Sequence, residues 1–192
     1  HLVEQLHYRV PEMINTALKH IFSKVKKTDK LNILDLGCGT GLSGEVLKPY
    51  SNQLIGIDIA PKMLAKAKQK KIYDDLIEQD IIEFLTHTEK TFDIIVAADV
   101  LGYIGDLTEL FTLCKSRLTP NGFILFSIEP SEDHPFKLQT TARFAHHPDY
   151  INEQMKNLGF NKSYETSGAG RTQEDKPLTI RLLGYGGKQN EK

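Results

Sequence analysis

The 192-residue chain has two cysteines, no tryptophan and almost no net charge, with 24 basic side chains against 25 acidic ones. Cys38 and Cys114 stand far apart in sequence, which argues against a disulfide scaffold; Cys38 reads instead as a small buried residue. Balanced charge provides no long-range attraction toward nucleic acid or anionic lipid. Aromatic and basic residues do not interleave as they do on a nucleic-acid surface. No apolar run approaches the ~20 residues that span a bilayer, and the start lacks a signal-like apolar region. Cys38, His134, His146 and His147 have no spacing suited to zinc, so no metal is expected. These absences fit a cytoplasmic enzyme that has neither membrane nor nucleic acid as its partner. His1 rather than Met stands first, so the chain is expected to begin inside a longer protein.

What is present is an alternation of short apolar runs with amphipathic stretches. Val10, Met13, Ile14, Ala17, Leu18 and Ile21 recur at three- and four-residue spacings with Pro11 near the start, which predicts a helix over 10–22. A polar link over 24–30 follows. Strands are expected over 31–36, 53–58, 76–79, 92–98 and 123–127, and helices over 43–50, 61–71, 80–86 and 106–117. The nearly all-apolar 92–98 suits a central parallel strand buried on both faces. Thr119-Pro120-Asn121-Gly122 reads as a turn. Residues 129–147, polar and broken by Pro130 and Pro135, interrupt the pattern as an irregular insert. A helix over 149–158 then ends at Gly159. Strands over 160–166 and 178–184 follow, joined by a polar stretch over 167–177, and the tail from 186 onward reads as disordered. Strand–helix alternation of this kind predicts an α/β, doubly wound sheet. A single domain is expected: an N-terminal helical segment (1–30), a core (31–184) that includes the insert on the substrate side (129–147), and a tail (186–192).

The densest signal is Leu31-Asn32-Ile33-Leu34-Asp35-Leu36-Gly37-Cys38-Gly39-Thr40-Gly41. An apolar strand ends in an acid and then places glycine at every second position, where the backbone must turn tightly against a ligand. The third glycine comes one residue too early for the dinucleotide fingerprint G-x-G-x-x-G, with Leu42 in the later position. No lysine closes the loop as in a P-loop. The segment resembles the loop of class I methyltransferases that binds S-adenosylmethionine (SAM), D/E-x-G-x-G-x-G. Leu42-Ser43-Gly44, the run from Ala97 to Asp106 and Arg143-Phe144-Ala145-His146 look like a bacterial subgroup of predicted methyltransferases that often carry tetratricopeptide repeats before the catalytic domain. The resemblance covers roughly residues 31–184. It implies a three-layer, Rossmann-like sheet of seven strands in the order 3-2-1-4-5-7-6 with the last strand antiparallel. It also implies SAM as methyl donor and S-adenosylhomocysteine (SAH) as product. A protein partner follows only if repeats stand upstream; none appear in this chain.

Within that resemblance, Gly37, Cys38, Gly39 and Gly41 form the cofactor loop. Asp58 ends the second strand 21 residues after Gly37, where a carboxylate accepts both ribose hydroxyls, with Ile59 and Met63 as apolar walls for the adenine. Asp80 and Ile81 match the positions that meet the adenine amino group and ring, although Asp80 also suits a helix N-cap. Asp35 is placed to order the loop amides and to reach the ammonium of SAM, directly or through water. Ala97, at the end of the fourth strand, leaves room for the methionyl part at the topological switch point. Tyr8 and Arg9, ahead of the first helix, are candidates for packing over the ligand and pairing with its carboxylate.

Methyl transfer from a sulfonium is an in-line displacement at an activated carbon, which requires alignment and desolvation more than a catalytic triad. Asp99, Tyr103 and His146 are the catalytic candidates, with Glu129, His134, Arg143, His147 and Tyr150 in the same two loops. His146 has the chemistry of a base near neutral pH, and each of these residues also suits a surface or helix-capping role. The N/D-P-P-Y/F signature of enzymes that methylate DNA and protein amino groups is missing where this chain has Ala98-Asp99-Val100-Leu101. The expected activity is therefore methylation of a small-molecule acceptor, ahead of a protein side chain. A non-catalytic SAM-binding module and a nicotinamide-dependent oxidoreductase are the alternatives.

Overall fold

A computed structural model of the protein describes residues 8–23, 31–173 and 176–187. The expected link over 24–30 and the last residues of the expected tail lie outside the described residues. Helix α1 (Val10–Ser23) buries Val10, Ile14, Ala17 and Leu18 on one stripe, as its 3.6-residue period dictates. The chain continues through β1 (Leu31–Leu36), α2 (Leu42–Leu47), β2 (Ser51–Asp58), α3 (Pro61–Gln69), β3 (Asp75–Glu78), α4 (Ile81–His87), β4 (Phe92–Ala97), α5 (Thr108–Arg117) and β5 (Leu118–Ile128). A short ribbon of β6 (Phe136–Leu138) and β7 (Phe144–His146) leads to α6 (Pro148–Asn157), β8 (Phe160–Gln173) and β9 (Lys176–Gly187).

The main sheet has the order β3-β2-β1-β4-β5-β9-β8, which is 3-2-1-4-5-7-6 once the ribbon is set aside. Pairings from β3 to β5 are parallel, and β9 runs antiparallel to both its neighbours. Helices cover both faces. On one, Leu34, Ile55, Ile95 and Phe126 pack with Phe111, Cys114, Ile151 and Met155 of α5 and α6. On the other, Ile33, Leu54, Val96 and Leu125 pack with α1 and with Leu47 of α2. Burial on both faces explains why β1 and β4 show no polar alternation.

Four local expectations change. Residues 119–122 are not a turn before the strand but an excursion within it: Phe92 pairs with Leu118, and two residues later Ile94 pairs with Phe123. The 129–147 insert contains the β6–β7 ribbon, whose three-residue strands are too short to show a period. The polar stretch over 167–177 is mostly strand, since β8 and β9 form one long hairpin. Pairing of β9 with β5 stops at Ile128↔Arg181, so this arm overhangs the carboxyl end of β5 with β8 and β9 paired only to each other. Leu178 and Ile180 of its β9 half pack into the cluster under α1, while its β8 half has no apolar pattern and is carried by backbone bonds; Arg9 N–H donates to Gly170 O at 2.8 Å. Finally, Gly186 and Gly187 belong to β9 rather than to a disordered tail; they pair with Asn161 and Phe160. Among the described residues, no helix is long and apolar enough to cross a membrane.

Candidate functional site

The carboxyl ends of β1, β2 and β4 meet where the strand order reverses, and a cavity of about 690 Å³ opens there. Open α/β sheets place ligands at this crevice. Gly37, Gly39 and Gly41 turn the loop after β1 with φ of 64°, 54° and 86°. At Gly37 a Cβ would also sit 2.3 Å from Val100 Cγ2, so only glycine passes the wall formed by the loop after β4. Gly39 faces open space, with Met63 Sδ at 3.7 Å from where its Cβ would be.

Asp58, at the end of β2, closes the loop. Its Oδ2 accepts from Gly39 N–H and its Oδ1 from Ala60 N–H, both at 2.8 Å. Each carboxylate oxygen has a further lone pair, and Asp58 lines the cavity. Asp80 caps α4: Oδ1 accepts from Ile82 N–H at 2.9 Å and Glu83 N–H at 3.0 Å. The two expected roles of Asp80 are thus compatible, because capping engages one oxygen and the residue still lines the cavity. Ile59, Met63, Ile81 and Ile82 form the apolar wall. Ile59 is 70% exposed, an outlay of apolar surface that an aromatic ring would cover. Cys38 lines the cavity as well, with its thiol pushed upward in pKa by burial and by Asp35 and Asp58.

Several expected contacts fall elsewhere. Asp35 lies behind the loop with no exposed surface. Tyr73 Oη–H donates to its Oδ2 at 2.6 Å, while Oδ1 is buried without a partner among the described residues. Burial pushes the Asp35 carboxyl up to about 7, against the Tyr73 hydrogen bond and with the Asp58 charge adding to the rise. Gly41 is the N-cap of α2 and stays outside the cavity lining. Ala97 is also beneath the surface, and Ala98 takes the expected place in the wall, because side chains alternate faces along β4. Arg9 points to solvent and pairs with Glu12 at 3.3 Å within the first turn of α1. Tyr8 does line the cavity; burial, then Asp99 and Asp35, push its phenol upward in pKa.

The other end of the cavity is built on Asp99. Its φ of 58° is left-handed, a conformation aspartate tolerates better than most residues, and its N–H donates to Ser127 Oγ at 2.8 Å. Arg143 Nη2 donates to Asp99 Oδ1 at 2.7 Å, and its Nε donates to Glu129 Oε1 at 2.9 Å. Arg171, carried in by the overhanging arm, donates to the same Glu129 oxygen and lies 3.6 Å from Asp99 Oδ2. Gln139 Nε2 donates to Glu129 Oε2 at 2.6 Å. Burial works against the charge on Arg143, but Asp99 and Glu129 outweigh it and raise its pKa. Burial likewise lifts Asp99 above the usual carboxylate range, against the pull of the two arginines. Tyr103 lines the cavity, 71% exposed, with the Arg143 guanidinium 4.6 Å from its ring centroid.

His146 is fully buried and does not line the cavity. Its Nε2 lies 2.9 and 3.0 Å from the carbonyls of Ile104 and Gly105, which makes Nε2–H the donor. Burial lowers its pKa, although the two carbonyls pull the other way. It therefore pins the loop after β4 from below, and the expected general base does not reach the cavity. Tyr73, Ser127, Gln139 and Arg171 are marked by no motif in the sequence. A partial signal existed: Asp35, Ser127 and Glu129 are polar residues at the core-bound ends of apolar strands, which demands partners without saying which. Among the described residues, no group of three or more His, Cys, Asp or Glu is arranged to hold a metal.

With sheet order, glycine turn and strand-end acids together, the fold is that of the class I, Rossmann-like SAM-dependent methyltransferases. The family described as "Methyltransferase domain" matches residues 34–126, from within β1 to within β5. Nodulation protein S of Sinorhizobium fredii is 34% identical over 101 residues, covering 50% of this chain and 46% of that protein. The ubiquinone biosynthesis O-methyltransferase of Histophilus somni is 30% identical over 121 residues, covering 58% of this chain and 50% of that protein. The chain thus spans about half the length of these curated relatives. The crystal structure of N-methyltransferase NodS from Bradyrhizobium japonicum WM9 in complex with SAH superposes with a TM-score of 0.70 at 21% identity, over 95% of this chain and 89% of that one.

Proposed function

We propose that the chain binds SAM in this cavity and transfers its methyl group to a small-molecule acceptor. One observation carries the reading. The charged side chains that line the cavity are Asp58, Asp80, Asp99, Asp106 and Glu109, with no Lys, Arg or His among the described lining residues. A dinucleotide would bring a pyrophosphate against these carboxylates with no cation to meet it, whereas a sulfonium nucleoside brings its own positive charge.

In this reading the second lone pairs of Asp58 receive the ribose hydroxyls. The free oxygen of Asp80 and the neighbouring Ile81 meet the adenine, between Ile59 and Met63. Gly39 lets the loop backbone approach the nucleoside, and Ala98 leaves space for the methionyl part. SAM supplies a methyl carbon already activated by the sulfonium. What the protein adds is placement and the removal of water: Tyr8 closes over one side, and Tyr103 lies across the acceptor side. Asp99, fixed by Arg143 and Arg171, positions the acceptor. The relatives named above comprise an N- and an O-methyltransferase, so neither acceptor atom is carried over. A protein partner belongs to this reading only where upstream repeats supply a peptide surface.

Titration calorimetry with SAM and SAH, followed by a screen of small hydroxyl, amine and carboxylate acceptors for SAH release, tests it. Binding of both nucleosides and SAH release with at least one acceptor is the expected result. Absence of binding at near-millimolar concentration overturns it.

A further inference from the structure

The hairpin arm of β8 and β9 breaks its register at one residue. Ala169 pairs with Thr179 and Arg171 with Leu178, so Gly170 is the extra residue of a β-bulge. A bulge turns the backbone and re-aims the side chains beside it, and here both effects reach the cavity. Gly170 O accepts from Arg9 N–H at 2.8 Å, a donor ahead of α1 that the helix itself cannot satisfy. This bond fastens the residue next to Tyr8. A Cβ at Gly170 would lie 2.4 Å from Ile180 Cγ1 and 3.3 Å from Val10 Cγ2, so a larger residue would push the arm away from β9 or from the start of α1. The next side chain, Arg171, donates to Glu129 Oε1 and lies 3.6 Å from Asp99 Oδ2.

We propose that Arg171 is a positioning residue for the reaction site: its ion pairs tie the bulged arm to Asp99 and Glu129, and the arm in turn holds Tyr8 on the cavity wall. This deepens the SAM-binding reading and rests on it. Tyr8 lines the cavity and packs, with Val10, Leu178 and Ile180, in the apolar cluster under α1. The charges that act on its phenol come from two directions, Asp99, Arg171 and Arg143 at one end of the cavity and Asp35 behind the glycine loop. The phenol thus lies where the two ends of the cavity meet, which in that reading is where sulfonium and acceptor approach each other.

The two arginines of the cluster serve opposite walls. Arg143 takes Asp99 Oδ1 and lies under the ring of Tyr103, whereas Arg171 takes the Oδ2 side and carries the arm that holds Tyr8. Glu129, with 4% of its side chain exposed, is shared by both. An ion pair shielded in this way keeps its geometry, unlike one in open water. Arg171 Nε is buried without a partner among the described residues, so its terminal nitrogens, on Glu129 and toward Asp99, carry the hold on the arm.

Fluorine NMR of the protein labelled with meta-fluorotyrosine reads the strap without ligand, the Tyr8 signal being assigned by its absence in Tyr8→Phe. In Arg171→Gln that signal is expected to move toward the position of free fluorotyrosine, while the signal of the buried Tyr185 stays in place. Gly170→Val keeps every charge and displaces the arm, so it applies the same test without disturbing a buried ion pair, and the Tyr8 signal is expected to move there too. Calorimetry with SAH on Tyr8→Ala, Arg171→Gln and the double variant is the second readout. Arg171→Gln is expected to weaken SAH binding about fivefold in the wild-type background and to add nothing once Tyr8 is removed, because residues that act through one contact are not additive. A Tyr8 signal unmoved in either folded variant, or affinity losses that add in full, would leave Arg171 a structural ion pair only and overturn the proposal. Failure of the wild type to bind SAH overturns the SAM reading instead, and the Tyr8 signals still judge the strap.

Discussion

At the glycine-loop end of the cavity, polar contacts run between residues close in sequence or on adjacent strands. Asp80 bonds the amides two and three residues ahead, and Asp58 bonds Ala60 two residues on and Gly39 across the neighbouring strand end. At the Asp99 end, Asp99, Glu129, Arg143 and Arg171 come from the ends of β4 and β5, the ribbon and the overhanging hairpin arm. The first arrangement is a set of backbone contacts that leaves carboxylate lone pairs free. The second is a closed charge network, two acids against two arginines, in which each charge depends on the others. A site of the first kind is altered with little consequence for the fold, whereas a site of the second kind is also part of the fold.

The sharpest way to break that comparison is Arg143→Met. It leaves Glu129, with only 4% of its side chain exposed, to Arg171 and Gln139, and loss of one partner from a buried ion pair costs about 3 kcal/mol. Urea denaturation is expected to show a loss of that order, with SAH affinity changed no more than a few-fold. A loss of affinity without loss of stability would reverse the assignment of the two ends. Asp58→Ala is expected to do the opposite. Charge-assisted hydrogen bonds contribute about 1.5–3 kcal/mol each, so SAM and SAH affinity measured by calorimetry should drop at least 10-fold. Its urea midpoint should move less than that of Arg143→Met. The smallest effect is expected at Met63, 47% exposed on the cavity wall. Met63→Ala should weaken SAH binding about two- to threefold through lost apolar cover of about 25 cal/mol per Å², with Tm unchanged within error. An effect as large as that of Asp58→Ala would mean that the adenine rests on α3 rather than on the ribose clamp.

The glycine-loop end is legible in the sequence for the reason that makes it local. Asp35, the glycines at alternate positions, Asp58 and Asp80 all sit at strand ends, and a strand end is marked by where an apolar run stops. The Asp99 end is only partly legible. Glu129 and Arg143 stood out as polar residues in an unpatterned insert, but Arg171 lay in a stretch that reads as a polar connection. The β8 half of the arm needs no alternation of apolar residues, since backbone pairing to β9 holds it. His146 has the chemistry of a base, but its burial against two carbonyls commits its Nε2 proton. Arg9 and Ala97 were misplaced by one residue of direction, toward solvent and beneath the cavity wall respectively.

By itself, then, the sequence determined the alternation of strands and helices, the turn at Gly37 to Gly41 and the acids that face it, because periodicity, glycine and strand-end chemistry are local properties. Tertiary structure alone decided that Tyr73 supports Asp35 and that Arg171 completes the cluster at Asp99. Both contacts join segments about forty or more residues apart, with |i−j| of 38 for Tyr73–Asp35 and 42 for Arg171–Glu129. No local pattern encodes which cation or hydroxyl will satisfy a buried carboxylate; the folding of distant strands into one sheet selects it.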